Sequence, residues 1–171
     1  LQGRIAESEA VLTAELKKSP LSVRLRRQLL QFCIHTGQRK QALRQVEQLP
    51  PETPYLEALK SAVRGACLAS EGQWIPARAY LEAAYRNGSR DPICLEWLTT
   101  CVLAAGENEA AIPLLAEWRK VEPQNQEVAR LIAEVSTAIA DGKPLILKQR
   151  KHGLAGPKAA GQSPSALASC G

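Results

Sequence analysis

Gly72-Gln73-Trp74-Ile75-Pro76-Ala77 decides the fold, because its Gly-x4-Ala frame returns at Gly37 with Ala42 and at Gly106 with Ala111. Gly3 with Ser8 is a further, weaker copy, so the four glycines stand 34, 35 and 34 residues apart. Four residues beyond each small residue comes an aliphatic one: Leu12, Val46, Leu81 and Leu115. Seventeen residues after the glycines stand Pro20, Pro54 and Pro123, with Ser89 the exception. Gly makes up roughly 7% of average composition, so three further glycines in register by accident is on the order of one in a few thousand. A period of about 34 residues is the size of one helix pair.

Each position in the frame has a physical reason. The glycine suits a tight turn between antiparallel helices, where positive φ is cheap only for Gly. The small residue lies where two helices approach most closely, and the aliphatic residue one turn on shares its face. A proline near the next helix start loses no needed hydrogen bond. Between these marks the apolar spacing predicts first helices over 24–36, 56–70 and 93–105, and second helices over 40–48, 75–85 and 108–120. Asn87-Gly88 reads as a turn, and Asp91-Pro92 as an N-cap followed by proline at the first helical position. Pro113 falls inside a second helix and is expected to bend or delay it.

The pattern resembles the tetratricopeptide repeat family over about residues 1–142. The resemblance rests on the three Gly-x4-Ala segments, on Pro54 and Pro123, and on Gly65 as the small residue in the middle of a first helix. One departure is plain: Arg26, Ser61 and Leu95 stand where the family has an early first-helix Trp. The resemblance implies an all-α, right-handed superhelix, a solenoid of antiparallel helix pairs. Residues 1–16 would supply half a repeat, three full repeats would follow, and a terminal helix over 128–140 would cap the stack. Residues 143–171, with five bases and no acid, read as a basic disordered tail with an ordered start at Leu145-Ile146-Leu147. The half repeat at Leu1 suggests that the array continues upstream in a longer parent.

The charge is unevenly placed. The net +5 of the chain equals that of the tail, and the 17 remaining bases balance the 17 acids. Residues 1–64 hold 11 bases and 6 acids, whereas residues 65–142 hold 6 and 11. That polarity admits end-to-end self-association. No apolar run approaches the roughly 20 residues that span a bilayer, and no secretory leader opens the chain. Five cysteines without a CxxC pair, and only two histidines, fit neither a disulfide framework nor a zinc site. A reduced, cytoplasmic setting is the simplest reading. Cys33, Cys67 and Cys101 stand 34 residues apart and read as packing residues in successive first helices.

No phosphate loop, dinucleotide fingerprint or nucleophile context accompanies His35, so neither an enzyme nor a cofactor is expected. Trp118 reads as inter-helix packing, and Trp74 is balanced between packing and a binding hot spot. The basic run Lys148-Gln149-Arg150-Lys151-His152 has no interleaved aromatic, which disfavours nucleic acid as a partner. The resemblance does imply a concave groove lined by first helices. Its positions fall on Arg24, Arg27, Gln31 and His35, on Leu59, Ala62, Ala66 and Ser70, and on Ile93, Glu96, Thr100 and Leu103. Arg130 and Glu134 follow in the terminal helix. The expected function is a protein-binding scaffold or adaptor: Arg24, Arg27 and Gln31 hold acidic groups of a protein or peptide, and Leu59, Ala66, Ile93 and Leu103 give apolar contact. The alternative is the non-catalytic array of a larger glycosyltransferase, sulfotransferase or kinase.

Overall fold

A glycine in the left-handed region ends helix after helix. In the computed structural model, which describes residues 2–20, 22–53 and 55–145, Gly37, Gly72, Gly88, Gly106 and Gly142 have φ between 64° and 86°. At each of the five, the glycine N–H bonds back to a carbonyl three residues earlier. The next N–H then reaches five residues back, as in Gln38 to Cys33 at 2.7 Å and Glu107 to Val102 at 3.1 Å. This paired bond satisfies carbonyls that a helix end would otherwise leave orphaned.

The described residues are helical, with no strand. In order they form α1 (Gln2–Lys18), α2 (Val23–His35), α3 (Arg39–Glu47), α4 (Leu56–Ser70), α5 (Trp74–Arg86), α6 (Pro92–Ala104), α7 (Asn108–Val121) and α8 (Gln126–Ala140). The boundaries fall within about two residues of those expected from apolar spacing. Each helix packs on the next, and α4 additionally touches both α2 and α6. At the close approaches Ala42, Ala77 and Ala111 are fully buried, as are Leu81 and Leu115, and Val46 is nearly so. No helix among the described residues is long and apolar enough to cross a membrane.

Two details differ from expectation. Gly3 lies within α1 rather than in a turn, and Ser8 is exposed, because no described helix precedes α1 to pack on it. Pro113 does not delay α7, which starts five residues before it. Pro113 and Glu109, whose carbonyl the proline leaves without a donor, are both exposed, so water can take the missing bond. Packing also continues past Gly142. The buried Asn108 donates from Nδ2 to the Lys143 carbonyl at 2.8 Å and accepts from the Leu145 N–H at 3.1 Å, and Leu145 rests on the core. Pro54, Cys170 and the run Lys148 to His152 lie outside the described residues.

The three positions that depart from the family's Trp are each accommodated differently. Arg26 is buried and donates to Gln45 Oε1, Gln48 Oε1 and the Pro20 carbonyl at 2.9–3.0 Å. The Ser61 hydroxyl donates to the Tyr80 carbonyl, and Leu95 is core. Cys33, Cys67, Cys94 and Cys101 are buried and free, and burial pushes their thiols up to about 12, or about 11 for Cys67.

Candidate functional site

One face of α2 presents Arg27, Gln31 and His35, at i, i+4 and i+8. Two of the three reach across to α6. Arg27 Nε pairs with Asp91 Oδ2 at 3.0 Å, and His35 Nε2 stands 3.4 Å from Glu96 Oε2, its ring tilted 34° against Trp97. Asp91 is also the N-cap of α6, accepting from the Ile93 N–H. Burial pushes its carboxyl up. Arg27 and the Ile93 N–H pull it down, and Glu122 pushes it up again.

These pairs revise the groove. The α4 residues Leu59, Ala62 and Ala66 are buried rather than offered as a surface, as are Ile93 and Leu103. α4 packs on both α2 and α6, and side chains of α2 pair with side chains at the start of α6. Leu59, Ala66, Ile93 and Leu103 therefore serve the core and give no apolar contact to a partner. Arg27 is likewise committed to Asp91 rather than held for an acidic ligand. Arg24 is exposed and makes no ion pair among the described residues. Thr100 turns its hydroxyl onto the Glu96 carbonyl, and Ser70 turns its own onto that of Cys67.

The remaining positions converge. Gln31 and His35 of α2, Glu96 of α6 and Arg130 of α8 line one open cavity of about 510 Å³. That lies within the usual size of ligand clefts, about 300–1,000 Å³. Its other walls are Trp118, Glu122, Asn125 and Glu127, from the end of α7 and the start of α8. The buried Trp118 packs as expected, and its indole N–H donates to Glu122 Oε2 at 2.7 Å. Asn125 caps α8 through the Glu127 N–H and donates to the same Glu122 oxygen at 2.9 Å. Arg130 is clamped by Glu127 at 2.6 and 3.0 Å and by Glu134 at 2.8 Å.

Glu122, Asn125 and Glu127 were not anticipated. They sit at a helix junction rather than on a first-helix face, where the repeat register is silent. Two local signals were available: Glu122 follows Trp118 by four residues, on the same face, and Pro123-Gln124-Asn125 precedes an apolar-periodic stretch. Trp74 is only half-buried, yet its indole nitrogen is enclosed without a partner among the described residues.

No family model, curated protein sequence or solved structure matches this chain.

Proposed function

We propose that this chain is a protein-interaction module of the tetratricopeptide type, a right-handed superhelical array of helix pairs. It docks a segment of a protein partner in the cavity between α2, α6 and the α7–α8 junction. One observation carries the reading. Gln31, His35, Glu96 and Arg130 fall on the groove positions that the family resemblance implies, and they line a single open cavity although up to 99 residues separate them. Packing does not require this of polar side chains, which are more often solvated singly. A repeat array offers such a concave surface because each pair contacts mainly its neighbours and leaves one face of the first helices open.

The test is site-specific photocrosslinking in cells. A benzoylphenylalanine at Gln31, which lines the cavity, is compared with one at the exposed Ala79 on α5, outside it. The expected result is a discrete crosslinked partner from position 31 and none from position 79. Equal yields from the two positions, or none from position 31, overturn the docking face.

A further inference from the structure

The charge of the cavity identifies what it receives. Three carboxylates line it, those of Glu96, Glu122 and Glu127, against one guanidinium, that of Arg130. That guanidinium is already spent, since Glu127 holds two of its nitrogens and Glu134 the third. Glu96 is buried, its side chain only 9% exposed, and the imidazole of His35 stands 3.4 Å away. Glu122 takes the Trp118 indole and the Asn125 amide on the same oxygen, Oε2. Its Oε1 receives no hydrogen bond among the described residues.

From this geometry we infer that the cavity accepts a lysine or arginine side chain presented by the partner segment, with Glu122 and Glu96 facing the cation and the Trp118 indole walling its stem. The inference rests on the docking face proposed above and names what that face selects. An anionic side chain would meet the carboxylates of Glu96 and Glu122 and find the Arg130 guanidinium already held by Glu127 and Glu134, an arrangement that costs far more in a partly desolvated cleft than in water. A metal ion is a poorer fit. Among the described residues no group of three or more His, Cys, Asp or Glu stands close enough to hold one. A larger organic cation can lay its methylene stem on apolar surface while its head meets the carboxylates. Of the basic end expected from Arg24 and Arg27, Arg27 is paired with Asp91, and neither residue lines the acidic cavity.

The three tryptophans make the test direct. In a 15N–1H spectrum of the full chain, the Trp118 indole resonance, assigned by Trp118→Phe, reports on Glu122 through their shared hydrogen bond. Three capped peptides, Gly-Leu-X-Leu-Gly with X as arginine, glutamate or glutamine, are titrated to about 10 mM, ample for a millimolar complex. The arginine peptide should shift the Trp118 indole saturably and leave Trp74 unmoved. Glu122→Gln retains an oxygen to accept the indole and should weaken the arginine peptide about tenfold, as should Glu96→Gln. A second variant, Glu109→Gln on the exposed face of α7, should change nothing. If the glutamate peptide is preferred, or all three bind alike, the docking face survives and its selectivity for cations is refuted. If none moves the Trp118 resonance, the inference fails, and the crosslinking from position 31 then decides the docking face separately.

Discussion

Replacing Gly65 with alanine pits helix propensity against packing. Propensity alone favours the change, since alanine stabilises an interior helical position by about 1 kcal/mol over glycine. The structure opposes it. A Cβ on Gly65 would stand 2.7 Å from Leu81 Cγ, 2.9 Å from the Ala77 carbonyl oxygen and 3.1 Å from Tyr80 Cβ, all on α5. The carbonyl belongs to a helix backbone and cannot rotate aside, and Leu81 is fully buried with nowhere to go. The whole of α5 must therefore retreat from α4. That loosens Ala77 and Leu81 and stretches the Ser61 to Tyr80 hydrogen bond, 3.0 Å in the native chain. Overpacking of this kind costs roughly 1–3 kcal/mol before any gain is subtracted, and the clash here is with backbone, so the upper half of that range applies. The net expectation is a loss of about 1–2 kcal/mol, or about 3–8 °C in Tm for a chain of this size. Urea titrations followed by far-UV circular dichroism measure it. Adding Leu81→Ala should make room, so that the double variant is less destabilised than the sum of the two single losses. A Gly65→Ala protein as stable as the parent, or more so, would show that α4 and α5 do not approach this closely.

Two further outcomes follow from the buried groups. The thiols of Cys33, Cys67, Cys94 and Cys101 are raised in the folded chain from about 9 to about 11–12, so the folded state holds its protons where the unfolded state has released them. Their contribution is therefore intact below about pH 9 and is lost as pH rises toward 12, at up to about 1.4 kcal/mol per unit for each thiol. The urea midpoint should fall steeply between pH 9 and 11, and with Cys170 replaced by serine a disulfide reagent at pH 8 should label only as fast as the protein opens; an invariant midpoint or rapid native labelling counts against it. Arg27→Ala leaves the Asp91 carboxylate, its side chain 6% exposed, without its cation. It should cost about 1–3 kcal/mol, with Arg27→Ala plus Asp91→Asn recovering part of that in a double-mutant cycle.

What could be read from the chain and what could not divide along one physical line. Helix ends, the N-cap at Asp91 and the buried Ala and Cys positions depend on neighbours within a few residues or on a repeating register, and sequence carries both. The groove positions of α4 were given the wrong exposure, since Leu59, Ala62 and Ala66 are buried. A register says which positions share a face, and nothing of how closely α2 and α6 pack against α4. The same limit hid the partners of Arg27 and His35, 64 and 61 residues away. It also hid the clasp of Asn108 on residues 143–145. Glu122, Glu127 and Asn125 escaped because they belong to a junction whose place in the cavity depends on how α8 docks.

The pairs Arg27–Asp91 and His35–Glu96 have a consequence for how the molecule comes apart. In a linear stack, stability is close to a sum over elements and nearest-neighbour interfaces, so such chains can fray from either end one unit at a time. Here α2 is tied to α6 across the intervening pair, a coupling that skips a neighbour. Opening α4 and α5 alone would still leave α2 and α6 tethered, and releasing α2 alone would strand the Asp91 carboxylate. The segment from α2 to α6 should therefore melt as one block, while α1 and α8 exchange their amide hydrogens independently, and added salt should blur that boundary by weakening the ties that define it.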